Sequence, residues 1–289
     1  MRELMQWGEK WFPNSEKLMA LTQIQKDIMA SIASNRSDSS YIAGGLVLNM
    51  DWPRVSDDID IFHDTDEEIG SAADADIEKL RADGFKVSVE INIYGCVEAS
   101  VMRAGEYTLV QWMSETRTRF FPLVRDDEWG ARLHRSDLAV NKVIAASTRT
   151  KARDYVDLLM IDTHMCPLGP VIMAAAGKPP HFSPLRIVDE IRRRALSVTN
   201  GDYTTVRGLP SDWTAARIRD ELVAALDRAE NYLRNAPPEL VGILAVDTAG
   251  VPMEVYDLST KGIKYRKATS EPEVTPELPE TVNRWGDVI

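Results

Sequence analysis

The chain has 289 residues, 44% of them apolar and 27% charged, with a formal net charge of −11. That is the composition of an ordinary globular protein with core enough for one or two domains, and its negative balance leaves any nucleic-acid contact to a local basic patch. Two cysteines, Cys96 and Cys166, provide neither a disulfide framework nor metal-binding spacing, and no stretch has the length and apolarity of a signal peptide or a membrane span, so a cytoplasmic protein is expected.

Apolar residues at Leu18, Leu21, Ile24, Ile28 and Ile32 recur at helical spacing and predict a helix over 15–35, with Asn14 or Ser15 as N-cap. Trp7, Trp11 and Phe12 ahead of it read as core-capping residues. A short strand at 41–43 runs into Gly44-Gly45, and LVLNM begins a helix. DIDIF at 58–62 reads as a strand, and 66–82 as a helix stopped by Asp83-Gly84. FKVSVEINI, VEASVM and EYTLVQWMS alternate as strands do, giving a mostly antiparallel run.

From Ser136 the character changes. SDLAVNKVIAAS predicts a helix with Ser136 as N-cap, TRT a turn, and KARDYVDLLMIDTH a second helix. GKPPHFSP at 177–184 reads as a linker, followed by helices at about 185–197 and 212–235, the latter capped by Ser211. A small hairpin is expected near 240–256, and a flexible tail rich in Pro, Glu and Thr from about 268. The expected organisation is an α+β domain over 1–135 and a mainly helical region over 136–289.

The chemistry concentrates in RVSDDIDIF, residues 54–62. Strand residues i and i+2 share a face, so Asp58 and Asp60 project together while Asp57 points elsewhere. Two carboxylates aimed at one spot repel unless a cation lies between them. Mg²⁺ (or Mn²⁺) suits the pair, because Mg²⁺ is commonly held by one or two carboxylates plus substrate phosphates. Upstream, Gly44 and Gly45 at a strand-to-helix junction lack Cβ atoms, so backbone amides can approach a phosphate closely. Arg54 and Ser56 stand between the two features as further NTP-binding candidates.

Further on, Lys142 offers a point charge suited to a triphosphate. Asp154 and Asp157, three apart on the following helix, share a face, with Arg153 about 100° around from them.

AGGLVLN with RVSDDIDIF resembles the signature of the DNA polymerase β-like nucleotidyltransferase superfamily. The lysine-bearing helix followed by R-D-x-x-D-L (Lys142, then Arg153, Asp154, Asp157 and Leu158) is similar to the AbiEii-type nucleotidyltransferase toxins of bacterial type IV toxin–antitoxin systems. The resemblance covers roughly residues 38–165 and implies a mixed sheet flanked by helices. It implies metal-dependent NMP transfer from an NTP to an acceptor hydroxyl, with the tRNA 3′ end as candidate acceptor, by a toxin of a toxin–antitoxin or abortive-infection system with a cognate antitoxin as partner. Asp58 and Asp60 would be the metal ligands and catalytic residues, joined in catalysis by Lys142, Asp154 and Asp157. Gly44, Gly45, Arg54, Ser56 and Arg153 would bind the NTP. Such enzymes usually carry a third carboxylate on a later strand. The matching position here is Gln111, with Glu106 and Glu115 as off-register substitutes.

Between residues 117 and 153 nine Lys or Arg face four Asp or Glu, a local charge of +5, and Arg192-Arg193-Arg194 forms a second basic cluster. Such clusters suit a polyphosphate or RNA partner. His63 reads as a structural residue. The alternative activities are a small-molecule (aminoglycoside-type) or protein-modifying nucleotidyltransferase, or a degenerate nucleotide-binding module.

Overall fold

A computed structural model describes residues 21–271. The chain divides into two compact units, one built from Met19–Arg117 and Pro122–Arg135, the other from Thr118–Phe121 and the residues from Ser136 onward.

In the first unit, helix α1 (Gln23–Ile32) starts at Thr22, whose hydroxyl accepts from the Gln25 amide while the Gln25 side chain accepts from the Thr22 amide. This reciprocal cap stands where the sequence analysis had continuous helix from residue 15. The expected caps Asn14 and Ser15, and Trp7, Trp11 and Phe12, lie outside the described residues. Strand β1 (Ser40–Ala43) leads directly into the single-turn helix α2 (Gly44–Leu48). Strand β2 (Asp58–His63), helix α3 (Ile69–Ala82) and strands β3 (Lys86–Ile93), β4 (Cys96–Arg103) and β5 (Glu106–Ser114) follow. Two three-residue strands, β6 (Val124–Asp126) and β7 (Gly130–Arg132), escaped the sequence reading, being too short for an alternation to register.

The architecture is the expected α+β one, with a seven-stranded mixed sheet in the order β3-β4-β5-β2-β1-β7-β6. β3, β4 and β5 are antiparallel neighbours, β2 runs parallel to β5 and antiparallel to β1, and β1 runs parallel to β7. Alternation sorts the two faces. Ile59, Ile61, Val97, Ala99, Val101, Val110 and Trp112 are buried on one face, against which α1 and α3 pack. Asp58, Asp60, Leu109, Gln111, Cys96, Glu98 and Ser100 lie on the other, and all except Asp58 are only half-buried.

A bulge between Val89 and Ile91 leaves Glu90 without a partner on β4. Past it, Ile91 pairs with Glu98 and Ile93 with Cys96, so both isoleucines stand on the half-open face, 40% and 64% exposed.

Under the covered face, Asp76 on α3 is wholly buried. It accepts from Arg36 at 2.6 Å, Asn35 at 2.8 Å and the Trp112 indole at 2.7 Å. His63 is buried on the same side. Burial pushes its pKa down, Arg36 lowers it further and Asp76 opposes, which fits a neutral core imidazole.

The second unit holds α4 (Arg135–Thr148, beginning one residue back in the first unit), α5 (Ala152–His164), α6 (Leu168–Ala175), α7 (Pro184–Ala195), α8 (Asn200–Thr204) and α9 (Ala215–Asn235). Ser136 lies inside α4, donating to the Gly250 carbonyl at 2.7 Å, rather than capping it. Thr214, not Ser211, caps α9, accepting from the Arg217 amide. α6 is entirely buried, with Pro170 in its first turn. In a first turn proline sacrifices no intrahelical hydrogen bond.

Residues 177–184 do not link separate bodies. Lys178 is buried there and reaches Asp137 at 2.9 Å, while the Asp137 carboxylate also accepts from the amides of Phe120 and Phe121. The expected hairpin near 240–256 is only partly formed. β8 (Ile243–Val246) takes β9 (Lys264–Lys267) as its antiparallel partner, and Pro252 adds one bridge to Val246. Thr269 exchanges both backbone hydrogen bonds with Arg119, so ordered pairing continues past the expected start of a tail at 268. The rest of that tail, from 272, lies outside the described residues. No described helix is long and apolar enough to cross a membrane.

Candidate active site

The turn from β1 into α2 is built against β2. Register pairs Ala43 with Asp60, which brings the next residue, Gly44, beside the Asp60 carboxylate. A Cβ added at Gly44 would lie 1.8 Å from Asp60 Oδ2, and Gly44 has φ +74°, so both space and backbone require glycine. At Gly45 a Cβ would come within 2.7 Å of Arg54 Nη1 and 3.2 Å of Ser56 Oγ. The Ser56 hydroxyl donates to Asp58 Oδ1 at 3.0 Å, and Gln25 from α1 donates to the Ser56 carbonyl at 3.0 Å.

Six sequence candidates, Gly44, Gly45, Arg54, Ser56, Asp58 and Asp60, are therefore gathered at one point of the sheet. Arg54, Ser56 and Asp58 are buried there, and Asp57 is exposed. α2 has only five residues, so a phosphate placed here would be met by individual amides more than by a macrodipole.

The donor set suits a small hard cation. Asp58 and Asp60 supply carboxylate oxygens from one face, and the bare Gly44 leaves room for the Asp60 carboxylate beside the backbone. Among the described residues no group of three His, Cys, Asp or Glu is placed to hold a metal.

The position expected to carry a third carboxylate is occupied as the sequence reading supposed. Gln111 is the β5 partner of Asp60, and its amide donates to Glu98 on β4. Glu106 is no substitute. It pairs with Arg103 on the opposite face and accepts from the Ile24 amide at 3.3 Å. Glu115 follows the end of β5, its amide donating to the His63 carbonyl at 3.0 Å. Glu98 was not singled out from the sequence. The signal was available in the β4–β5 turn, where Ala104 and Gly105 both have positive φ, as a two-residue I′-type turn needs, and pair Arg103 with Glu106. Counting back from that pair places Glu98 opposite Gln111.

Lys142, Asp154 and Asp157 form a second, self-contained cluster in the helical unit. The Lys142 ammonium lies 3.3 Å from Asp154 Oδ1 and 2.8 Å from Asp157 Oδ2, and both carboxylates are fully buried. Arg149 holds Asp154 from the other side at 2.7 and 3.0 Å. Arg153, on the same helix, is half-buried. Lys142 is thus engaged by two carboxylates, a different environment from the open phosphate contact that its position in the motif implies.

Burial alone would push the Asp154 pKa up. The hydrogen bond and charge from Arg149, with the charge and hydrogen bond from Lys142, outweigh burial and hold it at about 2. Because the folded value lies below the ordinary carboxylate value, this contribution is present above about pH 4 and is lost as pH falls through about 2. It amounts to on the order of 2 kcal/mol. Urea unfolding between pH 6 and pH 2.5 should show a steeper loss of stability for the wild type than for Asp154→Asn.

The basic run is divided between buried and surface positions. Arg119, Arg132, Arg135 and Lys142 are buried. Arg117 pairs with Asp64, Arg125 with Asp38 and Arg149 with Asp154. Only Lys151 is fully exposed without a pair described here, and Arg153 is half-buried. Arg192 pairs with Asp227 and Glu230, and Arg193 and Arg194 with Glu190. A separate open depression of about 500 Å³ in the helical unit, lined by Leu159, Asp162, Trp213 and Arg228 among others, holds none of the candidate residues.

No family model matches the chain, and no curated protein matches it. Solved structures with a similar chain path include one described as a nucleotidyltransferase from H. pylori, at 15% identity and TM-score 0.47, covering 76% of this chain and 98% of that one. Another is MenT4, a nucleotidyltransferase toxin from Mycobacterium tuberculosis H37Rv, at 14% identity and TM-score 0.49, covering 78% of this chain and 89% of that one.

Proposed function

We propose that the chain is a metal-dependent nucleotidyltransferase that moves a nucleoside monophosphate from an NTP to an acceptor hydroxyl and releases pyrophosphate. The observation that carries this reading is the meeting of Gly44 with the Asp60 carboxylate, on the face shared by Asp58. Asp58 and Asp60 would hold Mg²⁺ (or Mn²⁺), which would neutralise phosphate charge and stabilise an in-line displacement. The amides of Gly44 and Gly45 receive phosphate oxygens, and Arg54 behind Gly45 adds positive charge. The Ser56 hydroxyl fixes one oxygen of Asp58 and so orients the carboxylate.

The tRNA 3′ end as acceptor, and a toxin role with an antitoxin partner, rest on the motif resemblance. A protein or small-molecule acceptor is the second reading, favoured by the pairing and burial of the basic clusters.

Pure protein incubated with each α-labelled NTP, Mg²⁺ and, separately, total RNA, cell protein and hydroxyl-bearing small molecules tests the proposal. Label should move to one acceptor class and stop on addition of EDTA. Absence of transfer to all three, together with absence of metal-dependent NTP binding, would sink it.

A further inference from the structure

We infer that Glu98 is the acceptor-side catalytic carboxylate, the group that takes the proton from the attacking hydroxyl. This rests on the nucleotidyltransferase reading above. Asp60, Gln111 and Glu98 are consecutive partners across β2, β5 and β4, so their side chains stand in one row on the half-open face. Neighbouring strands are roughly 4.8 Å apart, which puts the Glu98 backbone roughly 10 Å from that of Asp60, with Gln111 as the floor between them.

Gln111 cannot take a proton, but its amide donates to Glu98 Oε2 and so fixes the carboxylate's orientation. A carboxylate offers about four acceptor sites, so Glu98 retains capacity for a substrate proton. Its position two strands away from Asp60 suits a base rather than a metal ligand. Of the other acids nearby, Asp58 and Asp60 are the proposed metal ligands, and Glu106 stands on the opposite face.

The step balances without a further reactant. The acceptor oxygen forms a bond to the α-phosphorus, the bond from that phosphorus to the pyrophosphate oxygen breaks, and pyrophosphate leaves. The hydroxyl proton passes to the Glu98 carboxylate and from there to solvent.

The test uses the full chain, α-labelled NTP, Mg²⁺ and a desalted cell extract supplying RNA and protein acceptors. NTP binding is measured by equilibrium dialysis and folding by thermal melting. Glu98→Gln should lower kcat for transfer by about 10²–10⁴-fold, with NTP affinity and melting unchanged. Glu98→Asp should recover part of the rate. The exchange Glu98→Gln with Gln111→Glu, which moves the carboxylate one strand inward, should regain at least about tenfold over Glu98→Gln alone. Transfer by Glu98→Gln within threefold of wild type would overturn the assignment and leave the nucleotidyltransferase reading standing. A loss that neither Glu98→Asp nor the exchange reverses would assign Glu98 a structural role and also overturn it. Wild-type protein that neither binds NTP nor transfers label would overturn both.

Discussion

Asp60→Ala is expected to lower nucleotidyl transfer by on the order of 10³-fold or more, since each tenfold corresponds to about 1.4 kcal/mol of transition-state stabilisation and a metal ion supplies several kcal/mol. Loss of this carboxylate removes one of the two proposed metal ligands and also the group against which the Gly44 turn is fitted. The effect should be functional more than structural, because Asp60 is half-buried on the more open face of the sheet. Label transfer should collapse while the melting temperature shifts by no more than a few degrees. A variant that kept a tenth of the wild-type rate would exclude Asp60 as a metal ligand in the reaction.

The largest expected effect on stability lies on the opposite face. Asp76→Ala leaves Arg36 with its charge buried and removes the acceptor for Asn35 and for the Trp112 indole. Breaking a buried pair from one side costs about 3–5 kcal/mol, a large fraction of a domain's total stability of about 5–15 kcal/mol. Urea denaturation should show the midpoint falling sharply with little change in slope. A matched replacement of both Arg36 and Asp76 by apolar residues should cost less than Asp76→Ala alone, because no charge is then left buried. A loss below about 1 kcal/mol for Asp76→Ala would mean that water reaches Arg36 and solvates it.

The two faces differ in how readily they could be read from residues. Asp58 and Asp60 announced a shared face through period two, and the glycine pair announced a close approach, because only a missing Cβ allows one. β3, β4 and β5 were legible from alternation, and the helices at 184–195 and 215–235 from their apolar spacing. Features set by partners distant in sequence were not. The cap of α4 is displaced because the Ser136 hydroxyl is engaged by Gly250. β8 chose Lys264–Lys267 over the nearer segment. The basic run misled for the same reason. Charge along the chain counts residues, whereas an interface depends on which of them remain at the surface, and here four of the nine are buried. Lys142 was recognisable as a motif residue, but its two buried carboxylate partners were visible only in three dimensions.

The bulge at Glu90 acts as a reversal of inside and outside within one strand. Before it, Val87 and Val89 face the same way as the buried Val101 and Ala99, their partners on β4; after it, Ile91 and Ile93 face the same way as Glu98 and Cys96. A single unpaired residue thereby lends the outer margin of the half-open face an apolar border that strict alternation would have turned towards the helices. On the proposed role of Glu98, that one extra residue decides whether its edge-side neighbours are isoleucines or the polar side chains of β3.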